Sequence, residues 1–292
     1  MKPAQDLRSG LLFMLAGSAL FAVMNVFAKI AADSGVHFGQ LMFFRNFAAL
    51  LPVGFVVMRA GGLPVLRTPQ PHRHALRAAT QLASMASGFV GLALLPLAES
   101  NAINYAAPIF VAILAVPFLG ERPGIWRWAA VLLGFAGVLA IAAGRGGFGT
   151  GEMPLLGVAM ALANAAFSAT VTIQVRQMAA VDSPETIVAW QALLMTAVTA
   201  CFLPFVWATP SPWILFCLVA VGLCGGMAQY CTTQSYARAE ASAVGPYGYS
   251  GIVFGAAFGW LVWGDAPTAG MLLGGMLVAG SGLLILRANQ RR

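Results

Sequence analysis

Charge is what this sequence has least of. Only 9% of its 292 residues are Asp, Glu, Lys or Arg, against about 25% in an ordinary soluble domain. With 60% hydrophobic residues and a mean hydropathy of +0.82, too few charges remain to cover a water-exposed surface. The net charge of +7 therefore does not imply a nucleic-acid partner. In a chain of this kind basic residues report orientation in a lipid bilayer. Enzyme signatures are missing as well. There is no GxxxxGK[ST] loop, which excludes an ATP-driven pump within this chain, and no HExxH or paired-acid arrangement. All nine acids are expected in loops or at span ends, and His72 and His74 in a Pro/Arg-rich connection. The four cysteines are Cys201, Cys217, Cys224 and Cys231. The last three recur every seven residues, near one helical face, with no His or carboxylate to complete a metal site. They read as packing groups. Neither a metal nor a cofactor is expected.

What the sequence has is long apolar runs from end to end, the mark of an all-α polytopic membrane protein. Ten spans are predicted, at about 9–32, 38–58, 74–95, 100–118, 125–144, 154–175, 185–206, 213–234, 241–263 and 268–286. The first apolar run is longer than a signal-peptide core and is read as a retained span. With the N-terminus inside, 13 of the 16 basic residues fall on one side. That bias predicts an inner-membrane protein with both termini in the cytoplasm.

The chain also resembles itself. FFRNFAALLPV (43–53) aligns with AWQALLMTAVT (189–199), placing Arg45 opposite Gln191 and Phe44 opposite Trp190. LAESNAINYAAPIFVAILAVPFLGER parallels RAEASAVGPYGYSGIVFGAAFGWLVWGDA, and both end in Gly then an acid, Gly120-Glu121 and Gly264-Asp265. Two copies of five spans, 9–144 and 154–287, must lie in opposite orientations because five is odd. Inverted repeats of this kind are a recurrent plan of secondary transporters, with the substrate near the midplane.

Polar residues inside spans are the site candidates. Arg45, within MFFRNF, is costly unless it faces protein or water. It is either a cavity residue or an anchor between spans. Asn46 adjoins it, Gln191 is its repeat counterpart, and Trp190 is the counterpart of the neighbouring Phe44. Asn25 and Lys29 share a face of the first span, although Lys29 could snorkel to the interface. Asn164 and Ser168 come from the sixth span and Gln81 from the third. Asn101, Asn104 and Tyr105 lie in NAINYAAP, and Tyr247 and Tyr249 in SAVGPYGY. Pro and Gly in those stretches suit the discontinuous helices of transporter sites, or a kink that only shapes packing. Gln229 and Tyr230 lie towards the end of the eighth span.

These pieces together resemble the drug/metabolite transporter superfamily, with two EamA-type repeats. The resemblance rests on MFFRNF, PIFVAILAVPFLGER, GFAGVLAI and the long SYARAEASAVGPYGYSGIVFGAAFGWLVWGDAPTAGMLLGGMLVAGSGLLIL, and covers roughly residues 9–287. It implies ten helices, cytoplasmic termini, a central cavity between inverted halves and alternating access. The first half looks like the branch that includes S-adenosylmethionine and riboflavin importers, while other members export amino acids. The second repeat closes with Asp265 where Glu is usual. The expected partner is a small polar metabolite, an amino acid or related compound; the alternatives are a larger cofactor-like solute such as S-adenosylmethionine or riboflavin, or an accessory role without transport. Monomer and homodimer both remain open.

The orientation is directly testable. In a cysteine-free background, His72→Cys and Arg122→Cys should react with an impermeant thiol reagent from the cytoplasmic side, and Asp265→Cys from the other. Labelling of position 265 from the cytoplasm would break the inverted arrangement.

Overall fold

The structure is a computed structural model. It describes residues 6–94, 103, 106–121, 123–144, 155–264 and 269–290. Everything regular among them is helical. Helix α1 is Leu7–Asp33, α2 Phe38–Phe47, α3 Leu50–Arg59 and α4 Pro71–Leu94. Then follow α5 (Ala107–Leu119), α6 (Ile125–Gly144), α7 (Leu155–Met178), α8 (Pro184–Phe202) and α9 (Pro212–Arg238). The short α10 (Ala241–Val244), a 3-10 turn over Gly245–Tyr249, α11 (Ser250–Trp263) and α12 (Ala269–Gln290) complete the chain.

The ends of these helices are written locally. The Asp6 carboxylate caps α1 through the Ser9 N–H at 3.1 Å, and Ser183 caps α8 through the Thr186 N–H at 3.2 Å. Proline follows Ser183 and Ser211, where its missing N–H is no loss. Gly120 and Gly264 close α5 and α11 with φ of +64° and +72°, left-handed conformations that favour glycine.

Five segments among the described residues are long and apolar enough to cross a bilayer: Leu7–Asp33, Phe38–Arg59, Leu155–Met178, Pro184–Phe205 and Pro212–Arg238. Shorter apolar helices lie at Ala107–Leu119, Ile125–Ala140 and Leu272–Ser281. The protein is a multi-pass, all-α membrane protein. Three details depart from the sequence expectation. The segment 38–58 is not one helix but α2 and α3, interrupted at Ala48-Ala49. The segment 241–263 likewise divides into α10, the 3-10 turn holding Pro246, and α11. Helix α4 starts at Pro71, because proline suits a first turn, so His72 and His74 are helical rather than in a loop.

Small residues let the helices touch. Helix α1 packs along α9, α4 along α7, and α6 along α12; α2 and α3 both pack on α8, α5 on α7, and α11 on α1. A Cβ on Gly222 would come 2.4 Å from the Ala48 Cβ, and one on Gly226 2.8 Å from the Ala49 Cβ. These two glycines, one turn apart on α9, receive the junction of α2 and α3 at near backbone contact. Gly137 meets the Gly274 carbonyl on α12 in the same manner, its Cβ position 2.7 Å away.

Gly222→Ala should therefore force α9 away from the Ala48 backbone. We expect a loss of about 1–3 kcal/mol, typical of overpacking, read as a lower thermal midpoint in detergent. An unchanged midpoint would mean that the junction yields freely.

Candidate functional site

The junction of α2 and α3 carries Arg45 and Asn46 to the interior. Together with Val53, Gln191 of α8, and Gly225 and Gln229 of α9, they line one cleft. Gly225 makes room for the Met24 sulfur, 2.9 Å from where a Cβ would sit, and the Arg45 stem lies in ordinary contact beside it at 3.6 Å. The cleft is narrow. Only about 20 Å³ is open to the centre of a water-sized sphere, room for about one water molecule. Its chemistry is polar and unbalanced. Asn46 spends its amide N–H on the Met42 carbonyl of its own helix, at 2.8 Å. Among the described residues Arg45 makes no hydrogen bond and no ion pair. The Gln191 Oε1 is buried there without a donor. A guanidinium without counter-ion and an amide oxygen without donor thus face the same small space. An arrangement of this kind is chemically complementary to an anionic or acceptor atom together with an N–H or O–H.

The other sequence candidates fall elsewhere. Asn164 and Ser168 join a cluster between α4 and α7, where the Ser84 hydroxyl donates to Asn164 Oδ1 at 2.7 Å and lies 2.9 Å from the Ser168 hydroxyl. Trp190, the counterpart of Phe44, stacks on His74 and donates from Nε1 to the Leu66 carbonyl at 2.9 Å. Tyr230 donates to Glu185 Oε1 at 3.0 Å and accepts from the Gln234 amide at 2.6 Å. Tyr249 is wholly buried against Gly134, and its hydroxyl points to the Val131 carbonyl. Tyr247 lines an apolar groove of about 250 Å³ with Leu15 and Phe254. Asn25 and Lys29 are exposed, and Gln81 is half-buried outside the cleft. Asn101, Asn104 and Tyr105 lie outside the described residues.

Sequence reasoning missed two polar centres. Glu121, 8% exposed, accepts from the Ala241 N–H at 2.9 Å, from the Ser242 N–H at 3.1 Å and from the Ser242 hydroxyl at 2.6 Å. It closes the start of α10 from 120 residues away, an N-terminal cap supplied by the other half of the chain. Arg127 supports it by donating to the Ser242 hydroxyl at 2.9 Å and pairing with Glu240. The second centre joins Asp182 to His74, at 3.1 Å, with both side chains buried. The Gly120-Glu121 ending was visible in the sequence; its partner was not. Among the described residues no group of three or more His, Cys, Asp or Glu could hold a metal.

Comparison with known proteins now decides the family. The EamA-like transporter family model matches residues 8–143 and again 155–287. The chain belongs to the EamA-like transporter family. Membership makes it a transporter, not an enzyme, within the drug/metabolite transporter superfamily. The chain is 31% identical to a riboflavin transporter of Rhizobium johnstonii, covering 100% of this chain and 95% of that protein. It is 27% identical to a pseudopaline exporter of Pseudomonas aeruginosa, over 97% of this chain and 98% of the relative. It is 26% identical to an S-adenosylmethionine uptake transporter of Rickettsia bellii, over 88% and 86% respectively. A solved crystal structure at 23% identity superposes with a TM-score of 0.84, covering 97% of this chain and 98% of the other, and so shares the fold.

The Glu121 cap predicts a stability effect in this EamA-family protein. Glu121→Ala leaves two backbone N–H groups and a hydroxyl unanswered, and we expect a loss of about 2–4 kcal/mol. Glu121→Gln, which keeps one acceptor oxygen, should lose less. Equal thermal midpoints for wild type and Glu121→Ala would show that water takes over the cap.

Proposed function

We propose that this protein is a ten-helix secondary transporter of the inner membrane, built as two inverted repeats over 9–144 and 154–287, with both termini in the cytoplasm. Its solute is a cofactor-like organic molecule of the riboflavin or S-adenosylmethionine kind, taken up by alternating access past the Arg45 cleft. The observation that carries this reading is the lone Arg45 guanidinium beside the donor-less Gln191 oxygen. A charge held without a partner in the membrane interior is expensive, and a solute that answers it recovers that cost.

Helix pairing supports the repeat. Taking the first and sixth spans as equivalents, α1 on α9 corresponds to α7 on α4, and α11 on α1 to α5 on α7. The pair α6 with α12 maps onto itself, as does the pair of α2–α3 with α8. Pairing that survives the exchange of halves is what a two-fold axis in the membrane plane produces. The relatives support the solute class, since proteins named for riboflavin and for S-adenosylmethionine align over most of this chain. The cleft as it stands admits about one water molecule, so a solute of that size enters only when helices part. Alternating access requires such parting.

A second reading has its own support. The pseudopaline exporter aligns nearly end to end with this chain. Export of a carboxylate-bearing, amino-acid-like metabolite would use the same guanidinium.

Uptake into proteoliposomes separates the two. Riboflavin, S-adenosylmethionine and amino acids are offered singly, without ATP. We expect a cofactor-like solute to be carried, and Arg45→Ala to lower its initial rate about a hundredfold at normal protein level, the scale for removing one partner of a buried charged contact. Arg45→Lys should recover part of the rate, because lysine keeps the charge and loses the planar fork. Gln191→Ala should cost less than Arg45→Ala. Normal abundance with a normal rate in Arg45→Ala would end the cavity reading, and strict dependence on ATP would end the secondary-carrier reading.

A further inference from the structure

The two halves are fastened to each other by side chains at two places related by the repeat. At the first, the connection between α3 and α4 meets the start of α8. Asp182 Oδ2 accepts from Thr68 Oγ1 at 3.0 Å and from Gln70 Nε2 at 2.9 Å, and lies 3.1 Å from His74 Nε2. Beside it, Thr186 Oγ1 donates to the Val65 carbonyl at 2.6 Å and Trp190 Nε1 to the Leu66 carbonyl at 2.9 Å. The His74 ring stacks on Trp190 with centroids 5.4 Å apart. Among the described residues, every side-chain donor to Asp182 comes from residues 68–74 of the first half.

At the second place, the start of α2 meets the connection between α8 and α9. Gln40 Nε2 donates to the Ala208 carbonyl at 2.8 Å, and the Ala208 N–H donates to Gln40 Oε1 at 3.2 Å. The offset of 146 that aligns the repeats carries Gln40 onto Thr186. The two fastenings are thus equivalent positions on opposite faces, and they are unequal. One is a single neutral amide with two bonds. The other gathers a carboxylate, an imidazole, two further side-chain donors to that carboxylate, and two bonds to backbone carbonyls. Hydrogen bonds to charged groups are worth about twice neutral ones.

The stronger fastening is also left incomplete. His74 Nδ1, Arg77 Nε and Arg77 Nη2 are buried without partners, and Arg77 Nη1 reaches the Ile187 carbonyl only at 3.4 Å. Water would satisfy those atoms if the segment lifted. Opening therefore returns part of what it breaks. The Glu121 cap differs, because both its oxygens are fully engaged by backbone and hydroxyl donors.

We propose that the Asp182 cluster and the Gln40–Ala208 pair are two releasable latches, one per face, and that their inequality sets the resting state of the carrier. The Asp182 latch holds the cytoplasmic face shut more firmly than Gln40 holds the opposite face, so the empty protein opens outward more readily. The assignment of faces rests on the topology proposed above; the existence of the latches does not.

The test needs no substrate. A single reporter, Gln229→Cys in the cleft, is placed in a background with Cys201, Cys217, Cys224 and Cys231 changed to Ser. Its reaction with a membrane-impermeant thiol reagent is timed in inside-out and right-side-out vesicles. Asp182→Asn should raise the rate from the cytoplasmic side about tenfold, the population shift expected when one or two net hydrogen bonds are lost. Thr68→Val, a milder change if Asp182→Asn assembles poorly, should raise it by a smaller factor. Gln40→Ala should raise the rate from the opposite side and leave the cytoplasmic rate alone. Unchanged rates in Asp182→Asn and Thr68→Val would overturn the proposal, as would a rise from both sides at once, which signals general loosening. A rise for Asp182→Asn confined to the outer side would uphold the latches while overturning the proposed orientation.

Discussion

The approach of α9 to the break between α2 and α3 is the contact on which the rest of this structure depends. Gly222 and Gly226 take Ala48 and Ala49 at distances no Cβ would allow, and Gly225, between them, leaves space for the Met24 sulfur. In hydrocarbon there is no hydrophobic drive between helices, so close packing of small residues must hold them. Gly225 and Gly226 also line the cleft that holds the Arg45 guanidinium. A Cβ at position 225 would come within 2.9 Å of the Met24 sulfur.

The polar groups divide into those that are answered and those that are not. Glu121, Arg176 and Gln40 each find backbone partners across the fold: Arg176 donates to the Tyr236 and Ala237 carbonyls at 2.8 and 2.9 Å. Such bonds are expected where backbone cannot be left to lipid. Arg45 and the Gln191 oxygen break that rule at the cleft, and they do so on the two helices that the repeat makes equivalent. In the inverted-repeat arrangement proposed above, that deficit lies at the pseudo-symmetric centre and is available to a solute from either side, which a deficit near one face would not be.

How much of this was legible in the sequence follows from periodicity. Helical class and multiple spans follow from hydropathy alone, because a span must be apolar over about 20 residues. That Arg45 and Gln191 face one cleft was legible too, since a repeat alignment carries equivalent faces onto each other. Trp190 shows the limit of that argument: its equivalent Phe44 packs in an apolar cluster, but Trp190 has an N–H to satisfy and turns to the Leu66 carbonyl. The break at Ala48-Ala49 had its signal in Pro52, which has no N–H for the Ala48 carbonyl four residues before it, but the unbroken apolar run around it hid the interruption. The His74–Asp182 contact joins residues 108 apart, and a tertiary hydrogen bond leaves no period in a sequence. Proline at position 71 was read as loop punctuation when it marked a first helical turn.

The two cytoplasm-directed acids of the proposed topology illustrate how position decides role. Glu121 follows a left-handed glycine, so its backbone is fixed and its carboxylate meets backbone N–H groups that cannot rotate away. Asp182 sits in a connection and meets side chains, each with rotamers to adopt once released. Releasing Glu121 exposes N–H groups of a helix start that nothing else among its described neighbours replaces. Releasing Asp182 hands hydroxyl, amide and imidazole to water, which recovers part of what is broken. The first contact therefore suits a pivot that persists through a cycle, and the second suits the edge that lifts.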